Sequence, residues 1–320
     1  MTKGRGAGAA VLLMMAAAAW AGSADQEAAI IAPLAARSLL LDLAPAGDRL
    51  VAVGDRGHIL VSADDGKTWR QVAVPTRTML TAVHFADGKL GWAVGHDAVI
   101  LRTTDGGETW RMVHQDIEAG SPLFDVYFTD ARRGFAIGAY GLFLDSRDGG
   151  ESWSRRTISD GDEHLHHLAR SASGRLFIAA ERGAILRSDD GGERWQNLPS
   201  PYEGSLFGSL PLAGDSLLLF GLRGHAFRSE DAGMTWRDVP TGVDTMLTSA
   251  CRLADGRVVM AGLGGVVLVS DDGGQSFTLQ VQGDRLGISA VVPAADGGLV
   301  VAGEFGVRHQ PVAAAAAAAR

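Results

Sequence analysis

The chain has 320 residues, 46% of them hydrophobic and 21% charged, with a formal net charge of −8. That apolar content supports a large buried core, and the acidic balance argues against general nucleic-acid binding. A single cysteine, Cys251, excludes an intrachain disulfide.

Residues 1–21 read as a signal peptide. Lys3 and Arg5 precede the apolar stretch AGAAVLLMMAAAAWA, and Ala19-Trp20-Ala21 offers a small-x-small cleavage site. The expected location is therefore the periplasm. From about residue 27 to 312 one unit recurs. Its most regular part is a turn of the form Ser/Thr-x-Asp-x-Gly-x-Ser/Thr-Trp, met first as SADDGKTW around Asp64. It returns around Asp105, Asp148, Asp190, Asp231 and, as SDDGGQSF, Asp272; successive Asp positions differ by 41, 43, 42, 41 and 41 residues. Ten residues before each Asp lies a second marker, Gly54, Gly95, Gly138, Ala180, Gly221 and Gly262, and Gly303 continues the series. Most of these open a Gly-x-x-Gly turn, where glycine is expected to supply positive φ.

Short apolar runs flank both turns, so each unit reads as four short antiparallel strands. In the first unit these fall near SLLLDL, RLVAV, HILVS and TWRQV. The aromatic that starts the outer strand (Trp69, Trp110, Trp153, Trp195, Trp236 and Phe277) is expected to pack between neighbouring sheets. A period near 42 with four strands per unit predicts an all-β fold, a seven-bladed β-propeller with four-stranded antiparallel blades in one domain, 27–312. The seventh unit has inner strands near ISAVVP and LVVAG and a third near VRHQ, but its Asp position falls on Ala313, in the alanine-rich tail 313–320. The stretch EAAIIAPL (27–34) is expected to complete that last blade as an N-terminal strand and so remove two open edges.

Strand order puts the Asp turns on one face of the ring and the Gly-x-x-Gly turns on the other. The middle positions of the latter carry Arg56, His96, Asp97, Tyr140, Glu181, Arg182, Arg223 and Phe305, a mixed set suited to recognising a protein or peptide. Each box Asp (Asp64, Asp105, Asp148, Asp190, Asp231, Asp272) stands alone in its unit beside residues that explain a turn, so a structural role is expected for all six. His164, His166 and His167 cluster beside Glu163, in a spacing that matches no strong zinc pattern, and no metal or cofactor is expected. Cys251 sits in an inner-strand pattern and reads as a small buried hydrophobe.

Asp boxes occur in sialidases, other glycosidases and sorting receptors. The combination here, shown by GDRGHILVSADDGKTW and ERGAILRSDDGGERW after a signal peptide, resembles the photosystem II stability/assembly factor family over nearly the whole mature chain. The resemblance implies a non-catalytic propeller that binds a membrane protein or membrane-complex subunit and assists its assembly; in photosynthetic members the client is a reaction-centre precursor. It also implies an arginine-rich patch on one face, for which Arg56, Arg182 and Arg223 hold matching turn positions. Propellers of this type in bacteria without photosystem II resemble accessory proteins of membrane exporters. A monomer is expected, with no nucleic acid and no small-molecule substrate. The alternative is a sialidase-like glycoside hydrolase, which needs clustered arginines, a Tyr–Glu nucleophile pair and an Asp acid. The chain offers three tyrosines, Tyr127, Tyr140 and Tyr202, and no Arg-Ile-Pro motif before the first blade.

Overall fold

The computed structural model describes residues 28–312. The signal peptide expected over 1–21 and the tail 313–320 lie outside the described residues. Within them the chain forms seven antiparallel sheets in sequence, spanning 40–71, 80–114, 123–155, 165–197, 206–238, 247–281 and 288–310, arranged as a seven-bladed β-propeller. Among the described residues no helix is long and apolar enough to cross a membrane. The first blade shows the pattern: Leu40–Ala46, Arg49–Gly54, Ile59–Ser62 and Arg70–Gln71, each strand paired with the next.

The apolar second strands are buried along almost their whole length, because both of their faces meet a neighbouring blade. The core is accordingly divided among the seams. Val51, Val53, Ile59 and Val61 of blade 1 pack against Leu80, Ala93, Leu101 and Trp110 of blade 2, and each following pair of blades repeats the arrangement. The box aromatics all face the preceding blade: Trp110 lies in the seam between blades 1 and 2, Trp153 between 2 and 3, and Trp69 between 7 and 1.

Two expectations need correction. The first glycine of the Gly-x-x-Gly turn does not supply positive φ; Gly54 and Gly95 are extended, at φ 177° and −171°. The carbonyl oxygen of the residue before the blade's first strand accepts a hydrogen bond from the residue just after the marker, as Leu39 O does from Asp55 N–H (3.0 Å). That brings the carbonyl over the glycine Cα, where a Cβ at Gly54 would sit 2.4 Å from Leu39 O. Positive φ falls instead on the second middle residue and the last one, as at Arg56 (55°) and Gly57 (71°). With His58 N–H donating to Asp55 O (3.0 Å), this is the two-residue primed hairpin turn that suits the twist of paired strands.

The second correction concerns closure. The seventh blade has three strands, Ile288–Pro293, Leu299–Gly303 and Gly306–Gln310, and none of residues 28–34 pairs with them. The N-terminal segment spends its polar groups on blade 1. Ala29 N–H donates to Val74 O (2.9 Å), and the Gln71 side chain bridges Ala32 N–H and Ile30 O. Pro33 has no N–H to give to a ladder. The segment then turns at Ala35–Arg37, over Gly306, and its alanines join the apolar cluster between blades 7 and 1. The ring is thus closed by side-chain packing across that seam.

Candidate functional site

The six Asp turns share one hydrogen-bond scheme. Ser62 Oγ donates to Asp64 Oδ1 (2.8 Å) and accepts from Gly66 N–H (2.9 Å), while Asp64 accepts from Thr68 N–H (2.8 Å) and the Thr68 hydroxyl (2.6 Å). Asp105, Asp148, Asp231 and Asp272 repeat this with Thr109, Ser152, Thr235 and Ser276. In blade 4, where the hydroxyl is replaced, Arg194 Nε takes its place on Asp190 Oδ2 (2.9 Å). Donors from Thr68, Ser152 and Thr235 hold the carboxyls of Asp64, Asp148 and Asp231 down at about 2. Carboxylates committed in this way have little capacity left for a ligand.

The inner strands of all seven blades line a central channel of about 570 Å³. The first strand of every blade contains a bulge, and the residue following it faces the next blade. At that position Asp42 accepts from Val83 N–H (2.8 Å), Asp125 from Leu168 N–H (2.7 Å) and Ser249 Oγ from Val291 N–H (3.2 Å), so neighbouring blades are tied together inside the channel. Burial pushes both carboxyls up to about 7. Sequence reasoning did not single out Asp42 and Asp125; the available signal was a lone carboxylate within an otherwise apolar inner strand.

On the Gly-x-x-Gly face the expected residues occupy equivalent places around the rim, but they do not form one continuous patch. Arg56 pairs with its neighbour Asp55 (3.3 Å). His96 is exposed, and Asp97 holds the following connector by accepting Asp116 N–H at its carbonyl (2.9 Å). Phe305 is half-buried between blades 6 and 7, with the Arg308 guanidinium 3.8 Å from its ring centroid. Arg223 is exposed, and among the described residues no ion pair engages it.

Tyr140, Glu181 and Arg182 are brought together, and the histidine cluster is what joins them. Tyr140 is 64% exposed, and its ring meets His164 edge-on at 4.8 Å. His164 faces Phe124 (5.9 Å), Phe124 faces His166 (5.7 Å), and His166 faces Phe207 (4.9 Å). Glu181 Oε2 lies 3.9 Å from His164 Nε2, and Arg182 Nη1 pairs with Asp162 (3.2 Å). The result is an aromatic run across blades 3 to 5, from the outer rim to the channel mouth, with charges along its side. Burial, and then the nearby His164, hold His166 down at about 4, so it is neutral at pH 7. Its buried Nε2 has no hydrogen-bond partner, and the residue lines the channel.

Such an arrangement can stack an aromatic or aliphatic side chain, offer one hydrogen bond at the channel mouth and hold a charged neighbour. Among the described residues no tyrosine hydroxyl is hydrogen-bonded to a carboxylate, the pairing a sialidase-like nucleophile needs.

Comparison with known proteins agrees with this architecture. A family model described as photosynthesis system II assembly factor YCF48 matches residues 61–121 and 110–259. A solved structure of YCF48 bound to a D1 peptide superposes with a TM-score of 0.71 at 20% identity, covering 92% of this chain and 96% of that one. YCF48 from Cyanidioschyzon merolae gives 0.68 at 19% identity over 86% and 96%. The WD40 β-propeller domain of Doa1 gives 0.68 at 13% identity over 87% and 94%, a likeness of fold alone. Comparison with curated proteins gives no match.

Proposed function

The chain belongs to the photosystem II assembly factor YCF48 family, and on that premise we propose that it is a non-catalytic scaffold that binds an extended segment of a membrane-complex subunit on its Gly-x-x-Gly face and assists that subunit's assembly. The observation that carries this reading is the aromatic run Tyr140–His164–Phe124–His166–Phe207, which reaches from solvent to the channel mouth. One family member is described as bound to a D1 peptide, and that supports a peptide segment as the ligand class here. Arg182 and Arg223 flank the run and would meet acidic groups on such a segment. The signal-like residues 1–21 support action on the exported side of a membrane.

Capture of partners from solubilised membranes, followed by peptide titration monitored by fluorescence anisotropy, tests the proposal. Removing a central aromatic anchor costs about 2 kcal/mol or more in binding. Tyr140→Ala is therefore expected to weaken binding at least roughly tenfold, and Arg182→Glu with Arg223→Glu to weaken it in a salt-dependent way. Arg194→Glu, on the Asp-turn face, is expected to bind as the wild type does. Equal capture by the wild type and the rim variants would rule out this face.

A further inference from the structure

At several seams an arginine on a blade's third strand reaches across to the Asp turn of the next blade. Arg102 Nε donates to Gly149 O (2.8 Å), Arg187 Nη1 to Ala232 O (3.0 Å) and Arg228 Nε to Gly273 O (3.3 Å). The acceptor in each case is the residue just after the box Asp, held at positive φ. The seam that closes the ring departs from this scheme at both ends. Strand register places His309, opposite Val300, where Arg228 stands opposite Leu218 in blade 5. The residue after the box Asp in blade 1 is Asp65, at φ 61°. A third group, Asp296, comes from the turn between the first two strands of blade 7.

Asp65, Asp296 and His309 each offer a ligand atom, and the three atoms lie within 4.8 Å of one another. His309 Nε2 is buried and makes no hydrogen bond, with Asp296 Oδ1 3.3 Å away. The carboxylates are aimed by backbone donors, Ala295 N–H to Asp65 Oδ2 (2.9 Å) and Gly298 N–H to Asp296 Oδ1 (2.9 Å). Gly298 also keeps the space open, since a Cβ there would lie 3.0 Å from Asp296 Oδ1 and 3.2 Å from His309 Cε1. Donors around a tetrahedral zinc ion lie about 3.3 Å apart, given metal–ligand distances of about 2.0–2.2 Å. Exposed Asp296 and half-buried Asp65 can close that difference by side-chain rotation.

We propose that these three residues hold a divalent transition-metal ion, zinc by the mixture of one imidazole and two carboxylates, with water completing its shell. The ion would tie blade 1 to blade 7 where three other seams use arginine, at the one blade that has three strands among the described residues. The site lies on the Asp-turn face, opposite the proposed binding rim. Its residues are far apart in sequence, and so no spacing motif announces it; the sequence reading expected no metal.

The test uses tag-free protein stripped with a chelator and titrated with Zn²⁺ near pH 7 by calorimetry, with thermal melts in parallel. One ion per chain and a Tm raised by several degrees are expected, since a ligand that binds only the folded state stabilises it. His309→Arg, which introduces the arginine found at three other seams, and Asp65→Gly, which introduces the acceptor residue of two of them, are expected to fold but to lose at least about tenfold in zinc affinity together with the Tm response. No uptake would leave an Asp296–His309 ion pair and overturn the assignment. Uptake unchanged in both variants would overturn it equally.

Discussion

Gly95 lies in extended backbone that any residue can adopt, yet a larger side chain does not fit. A Cβ there would stand 2.1 Å from Met79 O, and the same distance separates Gly138 from Pro122 O and Gly262 from Met246 O. The oxygen is fixed because it accepts His96 N–H (3.0 Å) and anchors the incoming connector to the turn. Gly95→Ala is therefore expected to destabilise the fold by about 1–3 kcal/mol, the usual penalty of overpacking, measured by urea unfolding. Gly264→Ala provides a contrast: nothing lies within 4 Å of the added carbon, and its cost would come from φ +70° alone. The recurrence of glycine was plain in the sequence. Its cause was not, because the carbonyl that excludes a side chain belongs to a residue some 15 positions earlier.

At the scale of the element, the outer strands are the weakest part of each blade. In blades 1, 3, 4 and 5 they are two residues long. Ladder hydrogen bonds alone would not hold them. The Asp turn does so from one side, with its hydroxyl and amide donors, and the box aromatic does so from the other by entering the seam with the preceding blade. Trp110 is 7% exposed, and its Nε1 donates to Gly107 O (3.0 Å). Trp110→Ala is expected to cost about 3–5 kcal/mol in chemical unfolding. Trp69, Trp153 and Trp195 are half-buried, so the same change at those positions should cost less. The strands, both turns and the aromatic were legible in the sequence because each repeats six or more times. The Tyr140–His164 run was not, since its members come from three blades and meet through the ring geometry.

For the whole molecule, stability against pH reports the channel. Asp42 and Asp125 have folded-state values raised to about 7, so their contribution is complete below about pH 4 and is lost as pH rises from 4 through 7. Buried His84, His166 and His167, lowered to about 4, act in the opposite sense over the same window, because the unfolded chain binds their protons and the fold does not. The measured curve is the resultant of the two. Replacing both carboxylates (Asp42→Asn with Asp125→Asn) removes the falling component, and stability is then expected to climb more steeply between pH 4 and 7 than in the wild type. An unchanged slope in urea midpoints across that range would refute it. Below pH 4 the wild type should weaken again as the box carboxyls held at about 2 take up protons.

The sequence by itself determined the number of blades, their strand order and the face on which each turn lies, because a repeat near 42 residues encodes all of these locally. The tertiary structure decided how the ring closes, which rim residues meet, and where buried charge sits. Those depend on contacts between different blades, in the closing seam between residues some 230 positions apart, and no local pattern of side chains specifies them.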